Sequence, residues 1–134
     1  MLRLEIVTPE QKTYSDTVDS VVIPCTEGEI GVLPDHVPLM TQLVPGELRV
    51  MKDGEELRLA VGEGFVEISA DKVAVLTDMA VRETDIDESA AEDAVRRAEE
   101  AMLENKMGEE EYATVKASLQ RSLAQLRVKR RRAV

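Results

Sequence analysis

Leu2, Leu4 and Ile6 alternate with Arg3 and Glu5, placing apolar side chains on one face and charged ones on the other. That period of two marks a half-buried strand. Similar runs recur at 18–24, 28–33, 47–51, 56–61, 64–69 and 72–77. Turn signals separate them at Thr8-Pro9, Pro45-Gly46, Asp53-Gly54 and Ala70-Asp71. Many short strands so spaced predict a compact β-sandwich or barrel of about eighty residues.

Near residue 85 the period changes. Asp85, Asp87 and Glu88 crowd acids where a helix N-terminus offers unpaired N–H groups and a partial positive charge, so a helix is predicted to start there. Ala90, Ala91, Ala94, Val95, Ala98, Ala101 and Met102 follow at helical spacing as one narrow stripe, mostly alanine. Asn105, Lys106, Met107 and Gly108 supply a stop, with Gly108 suited to the left-handed residue after a helix. Tyr112, Val115, Leu119, Leu123 and Leu126 then mark a second helix, and the short connection predicts an antiparallel hairpin. At roughly 0.8 kcal/mol per buried CH₂, methyl groups hold a partner less firmly than leucines would. Isolated helices of about twenty residues are themselves marginal. A conformationally mobile C-terminal arm is therefore expected.

Charge sharpens the division. Residues 1–84 hold 16 acids and 7 bases, residues 85–111 hold 11 and 3, and the last 23 residues hold no acid and 7 bases. Net charges of −9, −8 and +7 follow, which predicts a basic helix folded against an acidic one. The total of −10 disfavours polyanion partners, and with only Tyr14, Phe65 and Tyr112 as aromatics there is little to stack on bases, so nucleic acid is not expected. The basic run Arg127-Val128-Lys129-Arg130-Arg131-Arg132 reads either as a solvated helix end or as a segment reaching an acidic stretch of another protein.

One histidine and one cysteine provide no convergent nucleophile, base or metal-ligand set, so neither catalysis nor a metal is expected. Cys25 reads as a small buried hydrophobe. His36, within Leu33-Pro34-Asp35-His36-Val37-Pro38-Leu39, is either a turn histidine or an interface contact. Gly62-Glu63-Gly64 precedes a strand and not a helix, which makes it a tight turn or bulge and not a phosphate loop. No run approaches the roughly 18 apolar residues of a membrane span, and Arg3 and Glu5 are unlike a signal peptide, so a soluble chain without direct membrane insertion is expected.

The stretch Glu27-Gly28-Glu29-Ile30-Gly31-Val32-Leu33-Pro34-Asp35-His36-Val37-Pro38-Leu39-Met40-Thr41 is followed by Pro45-Gly46, then Gly62-Glu63-Gly64-Phe65-Val66-Glu67-Ile68 and Val73-Ala74-Val75-Leu76. Together these resemble the epsilon subunit of F-type ATP synthases of bacterial type, whose pattern runs GxxGxLPxHxPLxTxLxPG, then GGFxEV, then VxIL. Glu63 stands for a glycine of the pattern and Ile68 for its valine. The similarity extends through Asp85-Ile86-Asp87 to Leu123-Ala124-Gln125-Leu126-Arg127-Val128.

The resemblance implies a mainly β plus α fold: an N-terminal β-sandwich of about ten short strands over 1–84, then a C-terminal antiparallel two-helix hairpin over 85–134. It implies a non-catalytic central-stalk rotor subunit, without cofactor, that couples ion translocation through the membrane ring to ATP synthesis in the catalytic hexamer. The sandwich would bind the gamma subunit and the c-subunit ring, with Glu29 facing the ring and His36 near the gamma and ring junction. The hairpin would be a mobile regulatory arm that extends along gamma and restrains ATP hydrolysis. Its Arg121, Arg127, Lys129, Arg130, Arg131 and Arg132 would meet an acidic segment of the beta subunit within the alpha and beta hexamer. The expected location is peripheral, on the cytoplasmic face of the bacterial inner membrane. Some relatives bind ATP on the folded hairpin through an IDxxRA motif, which would involve Ile86, Asp87, Ala91, Arg97 and Arg121 here. Ala90 replaces the motif's arginine, and Gln125 stands where another arginine is often found. Without the resemblance, the same features also describe a β-sandwich adaptor whose basic tail docks acidic partners.

Overall fold

The computed structural model describes residues 1–10, 12–104 and 107–130. Its strands are β1 (Leu2–Val7), β2 (Lys12–Val18), β3 (Ser20–Cys25), β4 (Gly28–Val32), β5 (Leu39–Leu43), β6 (Gly46–Lys52), β7 (Glu55–Val61), β8 (Gly64–Ile68), β9 (Lys72–Thr77) and β10 (Ala80–Arg82). A 3₁₀ turn at Glu83–Asp85 leads to α1 (Glu88–Leu103) and α2 (Glu109–Arg130). The chain is thus a β-sandwich followed by a two-helix hairpin.

Strands are hydrogen-bonded in the order β10-β7-β6-β3-β5-β8-β9-β1-β2, with β4 also on β3. β3 is the pivot: Ser20 to Val22 pair with β6, while Cys25 at its far end pairs with Leu43 of β5. The pairing of β1 with β9 is parallel. Alternate residues point inward, so Leu2, Leu4, Ile6, Val21, Ile23, Leu48, Val50, Leu59, Val66, Val73 and Val75 form one solvent-free cluster. Burying such a Val, Leu or Ile contributes about 1.5–3 kcal/mol each. β2, β5 and β10 are strands that the hydropathy runs did not mark. In β2 the inward residues Tyr14 and Val18 flank Asp16, so the apolar period is interrupted and the ladder to β1 defines the strand.

The helices depart from expectation at their ends. Asp87, in an extended conformation, accepts a hydrogen bond from the Ala90 N–H at 3.0 Å and caps α1. The helix therefore starts later than the acids alone predict. Ile86 is extended and buried with Ala60 and Val128, which forces the chain out of helical geometry just before the cap. Gly108 does not end α1 in a left-handed conformation; among the described glycines only Gly28 and Gly54 have positive φ. Instead its carbonyl accepts from the Tyr112 N–H at 2.9 Å and opens α2. Asn105 and Lys106, the other half of the expected stop, lie outside the described residues.

α2 buries two opposite faces. Ser122 and Leu126 share one side and Ala124 and Val128 the other, as the helical period requires. The predicted stripe lies on the first side, which meets α1: Val115 and Ser118 line a groove with Ala94, Ala98 and Ala101. The second side lies on the sheet, where Val128 packs with Ala60, Met79, Val81 and Ile86. α2 is therefore sandwiched between α1 and the outer face of β6 and β7.

Candidate functional site

The basic residues of α2 are engaged chiefly with the β domain. Arg121 pairs with Asp78 at 3.2 Å. Lys129 lies 3.8 Å from the Glu83 carboxylate and donates to the Glu83 carbonyl at 3.3 Å. Arg130 alone among the described residues ties helix to helix by an ion pair, reaching Glu92 at 2.6 Å and Glu88 at 3.4 Å, with Glu92 foremost in raising its guanidinium above the ordinary value. Arg127 lines an open cleft of about 560 Å³ with Pro24, Glu29, Glu47 and Arg49. Opposite charge on the two helices thus explains only part of the closure, because the side of α2 that carries Arg121 and Lys129 faces the sheet. Arg131 and Arg132 lie outside the described residues.

Gly62 explains how Asp78 comes to meet Arg121. A Cβ on Gly62 would fall 1.8 Å from Asp78 Oδ1, so only glycine leaves that carboxylate its place beside the strand end. Gly64 serves the sheet itself: a Cβ there would lie 1.7 Å from the Leu76 carbonyl oxygen. Gly62, between β7 and β8, thus makes room for a side chain, while Gly64, the first residue of β8, allows a close backbone approach.

At the other end of α2, Arg58 of β7 donates to the Val128 carbonyl at 3.2 Å, placing a cation where a helix terminus carries partial negative charge. Arg58 also sits 3.6 Å from Glu47 and 3.9 Å from Glu83. Arg49 stands directly opposite Arg58 across β6 and β7. Like charges so placed repel, and Glu47, only 8% exposed, lies between them with Arg49 at 3.1 Å. Arg49 in turn donates to Glu29 at 2.9 Å. The Glu29 hydrogen bond is the main cause raising the Arg49 guanidinium above its ordinary value, against burial, which lowers it.

Glu29 is thus an exposed residue of β4 held by Arg49. His36 is half-buried in the loop after β4, its Nδ1 donating to the Val37 carbonyl at 2.6 Å. That loop exposes Leu33 and Val37, and Asp35 within it is left-handed at φ 66°.

On the layer away from the arm, register places Phe65 of β8 between Gln42 of β5 and Leu76 of β9. The inward residues of these strands are core, so Met40, Phe65 and Leu76 point outward, 69%, 60% and 52% exposed. Such large apolar side chains on one sheet face mark an interaction surface.

The residues expected to touch nucleotide are spread out. Ile86 and Ala91 are buried, and the Asp87 carboxylate is used in capping. Arg97 lines the shallow groove between α1 and α2, of about 230 Å³, whereas Arg121 is turned to Asp78. Among the described residues no group of three His, Cys, Asp or Glu side chains is placed to hold a metal ion. Cys25 is buried, and burial pushes its thiol up.

Residues 1–83 match the family model described as ATP synthase, Delta/Epsilon chain, beta-sandwich domain, and residues 84–130 match its long alpha-helix domain. The chain belongs to the ATP synthase delta/epsilon chain family. It is 46% identical to the ATP synthase epsilon chain of Alkalilimnicola ehrlichii, over 93% of this chain and 89% of that one. The corresponding protein of Halorhodospira halophila is 44% identical over 94% and 90%. A chain in the structure of the Euglena gracilis mitochondrial ATP synthase OSCP/F1/c-ring assembly shares the fold, with a TM-score of 0.72, 24% identity, and coverage of 89% of this chain and 75% of that one.

Family membership makes this chain a non-catalytic, epsilon-type subunit of an F-type ATP synthase, with its part in ATP synthesis by the complex. Among the described residues no helix is long and apolar enough to cross a membrane. Asp78, Glu83, Arg58, Glu47 and Arg49, which hold the arm or adjoin those that do, were not singled out by sequence reasoning. The close glycines 62 and 64 were the one local trace of this junction.

Proposed function

We propose that the chain is a central-stalk rotor subunit whose β domain, 1–84, attaches to the gamma subunit and the c-subunit ring, and whose hairpin, 85–134, is a movable arm restraining ATP hydrolysis. Through that attachment it helps couple ion flow through the ring to ATP synthesis in the alpha and beta hexamer. It works as a peripheral subunit on the cytoplasmic face of the bacterial inner membrane.

The asymmetry of the two sheet layers carries this reading. The layer with Met40, Phe65 and Leu76 presents bare apolar side chains suited to permanent docking. The other layer is covered by α2, but through partly exposed ion pairs and a small apolar cluster around Val128. Pairs of that kind are worth about 0.2–1 kcal/mol each, so the hold rests mainly on the small Val128 cluster, far less than the sandwich core, and the arm is easier to release than any strand. The gamma subunit is assigned to the bare layer, and the ring to the end carrying Glu29 and the His36 loop.

Opening frees the cations that closure consumes. Arg121, Lys129 and Arg130 leave Asp78, Glu83, Glu88 and Glu92, and an acidic segment of the beta subunit competes for them together with Arg127. Closed and open arms are therefore mutually exclusive uses of one set of charges. ATP is given no part in holding the arm closed, because Ala90 replaces the arginine and Asp87 is committed to its cap.

Removal of residues 85–134 tests the brake. Assembly with gamma and coupled ATP synthesis should persist while ATP hydrolysis by the complex rises. Hydrolysis no faster than that of the intact complex would refute the inhibitory role.

A further inference from the structure

We infer that Glu29 and the docked end of the arm are energetically linked through the strip Arg49, Glu47 and Arg58, so that engaging or neutralising Glu29 loosens the arm. The strip is continuous. Glu29 is 2.9 Å from Arg49, Arg49 3.1 Å from Glu47, Arg58 3.6 Å from Glu47, and the Arg58 guanidinium 3.2 Å from the Val128 carbonyl of α2. Charges alternate along it, ending at Glu83 and Lys129, 3.8 Å apart.

Its sign follows from the opposed arginines. Arg49 and Arg58 face each other on neighbouring strands and share Glu47 as a common counter-charge. Glu29 neutralises the far side of Arg49. Once Glu29 is taken by another group, Arg49 draws more fully on Glu47, and Arg58 keeps a smaller share of it. The negative potential that Glu29 and Glu47 together present in the cleft falls, just where the arm brings Arg127. Arg127 feels the change directly, since it lines the same cleft as Glu29, Glu47 and Arg49. Docking of a cationic helix end is weakened, and by reciprocity a docked arm strengthens the hold on Glu29.

The linkage stands on contacts within the chain. Its consequence in the complex, that contact with the ring at Glu29 biases the arm toward release, rests on the ring reading of Glu29 given above. The two can fail separately, because the linkage is read in the isolated full-length chain and the ring contact in assembly of the E29Q chain with the complex.

Hydrogen exchange of residues 121–130 in the full-length chain provides the test. E29Q should speed exchange there about two- to five-fold at low salt, the range set by partly exposed ion pairs. R58Q, or the charge-retaining R58K if R58Q folds poorly, should speed it as well. In the Arg58 variant the further effect of E29Q should shrink or vanish, since the strip is already cut. E67Q, the same charge loss on the opposite layer, should change nothing. Unaltered arm exchange in E29Q, an undiminished E29Q effect in the Arg58 variant, or an equal effect of E67Q would each overturn the linkage.

Discussion

Gly62→Ala and Gly64→Ala insert the same methyl group two residues apart, and their consequences should differ in kind. At position 62 the new Cβ would lie 1.8 Å from Asp78 Oδ1 and 3.0 Å from its Cγ, atoms of a side chain that can rotate away. Rotation breaks the 3.2 Å pair with Arg121. Both partners are partly exposed, at 33% and 40%, so the loss is about 0.2–1 kcal/mol and falls on the arm. Gly62 is not among the positive-φ glycines, so alanine also restricts the unfolded chain and returns about 0.4–1 kcal/mol to folding. Global stability should hardly move, while exchange in α2 around Arg121 rises about two- to five-fold. At position 64 the Cβ would meet the Leu76 carbonyl oxygen at 1.7 Å and the Thr77 Cα at 2.9 Å, both backbone. β8 and β9 would have to part, at a cost of about 1–3 kcal/mol or more to the whole β domain. Thermal melts should show the midpoint falling by on the order of 4 °C for each kcal/mol. The reasoning is refuted if Gly62→Ala lowers the midpoint as far as Gly64→Ala does, or if it leaves arm exchange unchanged while Arg121→Gln accelerates it.

Phe65→Ser should stay within about 0.5 kcal/mol of the parent in a melt, because the ring is already exposed, yet reduce retention of the gamma subunit on co-purification; full retention would count against the bare layer as its docking face. Asp87→Ala removes the cap on the Ala90 N–H and should cost α1 about 1 kcal/mol, seen as faster exchange in its first turn. The Lys52 hydrogen bond, with the Thr17 N–H second, holds Asp16 below its usual carboxylate range. A folded-state value below the unfolded one makes the pair's support fully present above about pH 4 and lost as pH falls through the folded value. An NMR titration should find Asp16 depressed and Lys52→Gln raising it part of the way back, since the Thr17 N–H bond remains; an Asp16 that titrates identically in both proteins would contradict this assignment.

Much of the architecture was legible because its signals are local. Leu2, Leu4 and Ile6 alternate within six residues, the alanines of α1 repeat at helical spacing, and β4 with the loop after it carries a long, ordered pattern of glycines and then prolines. Each depends on neighbours along the chain, where the period of the backbone decides which way a side chain points. β2 escaped because Asp16 interrupts its inward face, and only the ladder to β1 makes that stretch a strand.

The arm's attachment had no such local record. The charges of α2 could be counted in advance, but their partners lie 43 residues away at Asp78, 46 at Glu83 and 70 between Arg58 and Val128. Which acid each cation meets depends on where α2 comes to rest. That position is set by Val128 finding Ala60 and Ile86 on the outer face of the sheet, and by a glycine at 62 that leaves Asp78 room to lie beside the strand end. A stretch of sequence can announce that a helix is basic. Only the packing of that helix against strands distant in the chain decides what the basic groups hold, and therefore what must be released when the arm moves.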